Sequence, residues 1–149
     1  MSEPFRLRRY TEADEDEAFA LWISVWQTVY PEVDYAAQRD TLRKRWHDEI
    51  VPPAIVTLAV TDAIVGLITV EPSGYVDQLS VAPQMWGTGV ALALIEEARR
   101  LSPALLELRV NQDNARAIRF YEKHGFERIA EGFNERIGRP NFTMRWCPA

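Results

Sequence analysis

The chain has 149 residues, 47% of them hydrophobic and 26% charged, with 17 Lys/Arg against 22 Asp/Glu and a formal net charge of −5. A length of about 100–200 residues suits one domain with its own core, so a single domain over 1–149 is expected; the composition excludes a collagen-like, low-complexity or globally disordered chain. The acidic balance argues against charge-driven nucleic-acid binding, and the one cysteine, Cys147, excludes an intrachain disulfide. The N-terminal residues carry no apolar signal-like run, and charges break every apolar stretch well short of the ~20 residues that span a bilayer. The expectation is therefore a cytoplasmic protein with no membrane and no nucleic-acid partner.

In chain order, Phe5–Arg8 alternates and predicts a short strand. Thr11 ahead of Glu12, Asp14, Glu15, Asp16 and Glu17 is a helix-start pattern, since a hydroxyl and acids complement free N–H groups. Ala18, Leu21, Trp22, Val25, Trp26 and Val29 follow at helical spacing, and Pro31 closes the helix. A second helix is expected over Asp34–Ile50, with Ala37, Leu42, Trp46 and Ile50 on its apolar side. Ala54–Val60 and Ala63–Val70 read as a hairpin, and Tyr75–Val81 as a third strand. Gly87-Thr88-Gly89 then opens a helix that ends near Ser102-Pro103. Leu105–Val110 is a strand, Asn114–His124 a helix closed by Gly125, and two strands lie around Phe126–Ala130 and Phe142–Trp146. The order describes one α/β domain.

Two segments carry chemistry. A strand ending at Val81, followed by glycines that open a helix, brings free N–H groups and a partial positive charge to one point, which suits a pyrophosphate; alone, Gly87-x-Gly89 is equally well a plain turn. No Walker loop is present, and the third glycine of a dinucleotide fingerprint would fall on Leu92. In the second segment Asn114 caps a helix on which Ala117 and Tyr121 lie one turn apart. A tyrosine there can act as a general acid or be an ordinary core residue.

Together the segments resemble the GCN5-related N-acetyltransferase (GNAT) family. Val81-x-Pro83 with Trp86-Gly87-Thr88-Gly89-Val90-Ala91 is similar to its pyrophosphate loop, written Gln/Arg-x-x-Gly-x-Gly/Ala, and Asn114-x-x-Ala117-x-x-x-Tyr121-x-x-x-Gly125-Phe126 to its later helix motif. The resemblance is strong over residues 54–128. It implies an α/β fold with a mixed, mostly antiparallel sheet splayed open at the middle strands, flanked by helices, with acetyl-CoA as co-substrate in the split. It further implies that Leu79, Ser80 and Val81 offer backbone groups to the pantetheine arm, that N–H groups of Gly87, Thr88, Gly89, Val90 and Ala91 hold the pyrophosphate, that Asn114 reaches the arm beside Ala117, and that Tyr121 protonates the leaving thiolate. The family's Gln/Arg position holds Trp86, a departure from the pattern, with the indole packing on the loop or the adenosine.

The implied reaction is direct acetyl transfer to a primary amine in a ternary complex, with hydrogen bonds stabilising the oxyanion. The amine needs a base. Asp77 is the first candidate, on the face of its strand shared by Tyr75, Leu79 and Val81; Glu71 and Glu32 rank below it, and His47 and His124 are set aside. Trp22, Trp26, Tyr30 and Trp46 read first as core, with Trp26 and Tyr30 placed to line an acceptor pocket. A small-molecule amine is favoured over a protein N-terminus or lysine, and a non-catalytic acyl-CoA sensor is the alternative of another class. One cysteine and two distant histidines predict no metal site. Family members are often dimers, and Phe126–Trp146 is the expected interface. Finally, residues 1–98 carry 7 Lys/Arg against 16 Asp/Glu, and residues 99–149 carry 10 against 6. That asymmetry suggests an acidic acceptor side and a basic phosphate side.

Overall fold

The computed structural model describes residues 4–148. Its strands are β1 (Arg6–Arg9), β2 (Ile55–Val60), β3 (Ile64–Val70), β4 (Tyr75–Val76), β5 (Leu79–Val81), β6 (Leu106–Asn111), β7 (Glu127–Asn134) and β8 (Arg139–Trp146), and its helices are α1 (Glu15–Val29), α2 (Arg39–Arg45), α3 (Val90–Leu101) and α4 (Ala115–Lys123). The strands form two four-stranded sheets, ordered β1-β2-β3-β5 and β4-β6-β8-β7. Every pairing is antiparallel except β4 with β6.

β2 and β3 are β-branched runs buried on both faces, as strands covered by helices on each side must be. Val56, Leu58, Val60 and Leu67 join Phe19 and Trp22 of α1 and the fully buried Trp46 and Ile50 in one core. Ile68, Val70, Val90, Leu94, Ile118 and Tyr121 belong to the other, which α3 and α4 cover. Gly66 permits this packing: a Cβ there would lie 3.0 Å from Val90 Cγ1 and 3.1 Å from Leu94 Cδ1.

Three expectations change. The second helix is broken into a 3₁₀ turn (Ala36–Gln38), α2 and a π turn (Trp46–Ile50), the wider turn closing from Val51 N–H to the Trp46 carbonyl while both ends of the turn are fully buried. The first helix begins with a 3₁₀ turn at Glu12–Asp14. The strand expected over Tyr75–Val81 divides at Asp77-Gln78 into β4 and β5, which belong to different sheets. No helix among the described residues is long and apolar enough to cross a membrane.

Candidate active site

The division of that strand makes the site. β4 holds β6 through Tyr75↔Glu107 and Val76↔Leu108; after it the chain turns to β3, and the two sheets part. Thr69 N–H donates to the Gln78 carbonyl and Ala82 N–H to the Val65 carbonyl. Ladder bonds alternate along an antiparallel strand, so Ser80 also faces β3, in register with Leu67. The backbone groups turned into the gap are therefore those of Leu79 and Val81, which corrects the expectation for Ser80.

The glycine loop follows β5 in the chain and leads into α3. Gly87 and Gly89 have φ of 80° and 94°, a region that only glycine enters cheaply, and a Cβ at either would meet nothing within 4 Å. Gly89 is the N-cap of α3, so the N–H groups of Val90, Ala91 and Leu92 have no helical acceptor. Thr88 is turned inward, its N–H donating to the Met85 carbonyl at 3.3 Å, so it is not one of the free donors expected. Trp86 donates its indole N–H to the Val81 carbonyl at 2.9 Å, and the Arg116 guanidinium lies 3.6 Å above its ring. Counting three residues back from Gly87 also corrects the motif: Gln84-Met85-Trp86-Gly87-Thr88-Gly89 is complete, with the exposed Gln84, not Trp86, in the Gln/Arg position.

Across the gap, Asn114 caps α4, its side chain accepting the Ala117 N–H at 3.3 Å. Ala117 and Tyr121, one turn apart, both line the cleft. Tyr121 is buried to 9% exposure, and burial alone pushes its phenol well above the ordinary value of 10.0.

The same cleft, about 1120 Å³, continues to the acidic end of β3 and to α1 and α2. Asp77 Oδ1 accepts from Gln78 Nε2 at 2.9 Å and stands 3.4 Å from Arg45 Nη2. Gln78 is itself held by the Trp22 indole N–H at 2.8 Å. Glu71 lines the same wall, its carboxyl pushed upward by burial and by the charge of Asp77. Trp26 and Tyr30 also line the cleft, their rings stacked 5.8 Å apart at 11°. The Tyr30 hydroxyl is not free for a substrate: it donates to Asp113 at 2.7 Å and accepts from Asn111 at 2.9 Å, while Arg139 lies 4.1 Å over its ring. Phe133 and Ile137, exposed at 59% and 46%, form part of the rim with Asn134, Glu135 and Arg136.

Sequence reasoning missed Arg45, Gln78 and this β7–β8 rim; it placed Trp22 in the core, where it lies, but not its bond to Gln78. Their positions depend on tertiary pairing, although Gln78 stands directly beside the candidate base Asp77 in the chain. Among the described residues no three metal-ligating side chains cluster. The residues do fit an acyl-CoA thioester: unpaired N–H groups at the start of α3, open space over two glycines, the backbone groups of Leu79 and the Val81 N–H on the edge of β5, and a phenol facing the gap.

A sheet opened into a wedge beside a glycine loop at a helix N-terminus is the architecture of enzymes that use coenzyme A thioesters. The chain belongs to the acetyltransferase (GNAT) family, whose model matches residues 15–126, and is an acetyl-CoA-dependent N-acetyltransferase. It is similar to the peptidyl-lysine N-acetyltransferase YjaB of Salmonella typhimurium, 31% identical over 99 residues, which are 62% of this chain and 63% of that protein. It is also similar to YjaB of Escherichia coli K12, 26% identical over 136 residues, 90% of each chain. The fold matches the PaiA N-acetyltransferase of Thermoplasma acidophilum, solved in complex with coenzyme A, with a TM-score of 0.79 and 15% identity over 97% of this chain and 99% of that one.

Proposed function

We propose that the protein transfers the acetyl group of acetyl-CoA to the ε-amine of a lysine side chain on a protein or peptide, directly and in a ternary complex. The observation that carries this is the continuity of the cleft: one cavity runs from the β5 edge and Tyr121 to Glu71 and Asp77 and opens past the exposed Phe133 and Ile137. The carboxylates of Glu71 and Asp77 offer a cationic amine its partners, and a rim that mixes the exposed Phe133 and Ile137 with Asn134, Glu135 and Arg136 suits an amine carried on a polypeptide. The names of the YjaB relatives support the lysine acceptor over the small-molecule amine that the sequence favoured.

Acetyl-CoA supplies the activated acyl carbon. In this reading Leu79 and Val81 align its arm along β5, displacing the Trp86 indole from the Val81 carbonyl. The first N–H groups of α3 receive the pyrophosphate, Asn114 orients the arm from α4, and Tyr121 holds a proton for the departing sulfur. The bound PaiA structure supports coenzyme A in this kind of fold.

Release of free thiol, with mass spectrometry of products, tests the reading across lysine peptides, N-terminal peptides, spermidine and small aromatic amines. Lysine-peptide acetylation is expected to exceed every small amine. Turnover confined to small amines would replace the acceptor, and tight acetyl-CoA binding with no turnover on any amine would leave a sensor.

A further inference from the structure

A lysine amine is an ammonium at neutral pH, since it titrates near 10.4, and it must lose a proton before its nitrogen can attack. Two carboxylates line the wall it reaches, and the fold treats them differently. Asp77 is clamped, with Gln78 Nε2 and Arg45 Nη2 both on its Oδ1. The Gln78 amide cannot turn over, because the Trp22 indole N–H, a donor only, bonds its Oε1. Trp22 and Gln78 are both buried, at 3% and 8% exposure, so a chain of hydrogen bonds from the core of α1 sets the orientation of Asp77. Its Oδ2 is left for a ligand.

Glu71 is not clamped. It stands half-buried where β3 runs into the Pro72–Gly74 turn, and only burial and the charge of Asp77 act on it. Tyr75 and Asp77 from the same hairpin, Arg45 from α2 and Arg109 from β6 surround this corner, and Glu49 lines the wall beyond.

We propose that Glu71 takes the proton from the incoming ammonium, while Asp77, clamped by Gln78 and Arg45, is the fixed anion that draws that ammonium in. The assignment rests on the amine-acetylation reading above. Burial and the charge of Asp77 raise the Glu71 carboxyl above its ordinary value, which makes it a better proton acceptor than an exposed carboxylate. Glu71 accepts one proton from the ammonium. The freed lone pair forms the C–N bond at the thioester carbonyl carbon, and the C–S bond breaks with its electron pair going to sulfur. Tyr121 gives its proton to that sulfur, and its phenolate takes back the proton that the acetylated nitrogen sheds, directly or by way of water. The products are the amide, the thiol and one proton, which leaves Glu71 for solvent.

The test measures steady-state rates from pH 6 to 10 with acetyl-CoA and Nα-acetyl-lysine amide, and with a pool of lysine peptides, for wild type, Glu71→Gln and Asp77→Asn. Glu71→Gln is expected to lose about a hundredfold in kcat at pH 7, a deficit that shrinks toward pH 10 as free amine forms unaided. Asp77→Asn is expected to raise KM for the acceptor about tenfold with a much smaller change in kcat. Both should keep their affinity for acetyl-CoA. Should Glu71→Gln fail to fold, Glu71→Asp replaces it and is expected to lower kcat while keeping the wild-type pH profile. A pH-dependent kcat loss in Asp77→Asn with Glu71→Gln near wild type overturns the assignment and leaves the acetylation reading standing, as do equal, pH-independent effects in both. Wild-type protein inactive on every lysine probe overturns the acetylation reading itself.

Discussion

A phenol buried in a cleft, with desolvation the only influence on it, holds its proton through the range in which an amine is acetylated. Tyr121 is in that position, its titration moved above the ordinary 10.0, so loss of the phenolic proton is not expected to limit the rate below pH 10. Tyr121→Phe keeps the ring packed against Phe126, whose centroid is 5.4 Å away, and removes only the proton. The expected result is a fall of about a hundredfold to a thousandfold in kcat, with KM for acetyl-CoA within about twofold. Thiol-release kinetics check this, and an unchanged kcat would remove the acid from Tyr121. The residue-level reading from the sequence was uneven for a physical reason. Tyr121 was legible because helical spacing puts it beside Ala117 and Asn114 without any tertiary information. Tyr30 was legible as a wall of the cleft but not as a tie, because its partners Asn111 and Asp113 lie more than eighty positions away in the chain.

At the scale of elements, two chain turns carry measurable consequences. Gly89 stands at φ 94° and caps α3. A Gly89→Ala chain has room for the methyl group but not the backbone freedom, which costs about 1–2 kcal/mol in this region. The helix start shifts to relieve it, and the free N–H groups move with it. KM for acetyl-CoA is expected to rise about tenfold, equivalent to about 1.4 kcal/mol, with kcat at saturation little changed. The turn from β1 into α1 depends on Asp14, which takes a bidentate pair from Arg8 and the Thr11 N–H, all at 2.8 Å. The Arg8 hydrogen bonds chiefly hold its carboxyl at about 2 instead of 3.8. A lowered carboxylate stabilises the fold above its unfolded value and loses that contribution as pH falls through its folded value. Urea midpoints should therefore separate wild type from Asp14→Asn fully above about pH 4 and converge near pH 2; a constant gap would mean the carboxylate charge is immaterial. The helices and most strands could be read from periodicity and caps. The division at Asp77-Gln78 could not, since Tyr75–Val81 alternates like one strand and only its two partners, β6 on one side and β3 on the other, pull it apart.

Over the whole molecule, the charge asymmetry seen in the sequence resolves into paired and unpaired groups. Much of the basic charge after residue 98 is already met: Arg100 by Glu97, Arg128 by Glu122, Arg139 by Glu32 and Asp113, and Arg145 by Glu107. Arg116 instead lies on Trp86 beside the glycine loop, with Arg119 near enough to act on it electrostatically. That narrows the phosphate-attracting charge from a third of the chain to the first turn of α4. It also gives the cofactor a structural role. The two sheets share no strand ladder among the described residues; the chain crosses between them at Asp77-Gln78, and the Glu71 N–H bonds the Tyr75 carbonyl beside that crossing, so a ligand lying against β5, α3 and α4 bridges halves that otherwise meet mainly through side-chain packing. A ligand that binds only the folded state at about a hundred times its Kd stabilises it by about 2.7 kcal/mol. In a chain of this size that amounts to a rise of about 5–10 °C in Tm. Thermal melts with coenzyme A should show that rise in wild type at low salt. For Arg116→Glu at the same ligand concentration most of the rise should vanish, because an anion replaces the one cation stacked on the loop. The unliganded Tm of Arg116→Glu should fall by only a few degrees, since Arg116 makes no ion pair among the described residues and only its stacking on Trp86 is lost. An equal ligand-induced rise in both proteins would return the phosphate site to its backbone N–H groups alone.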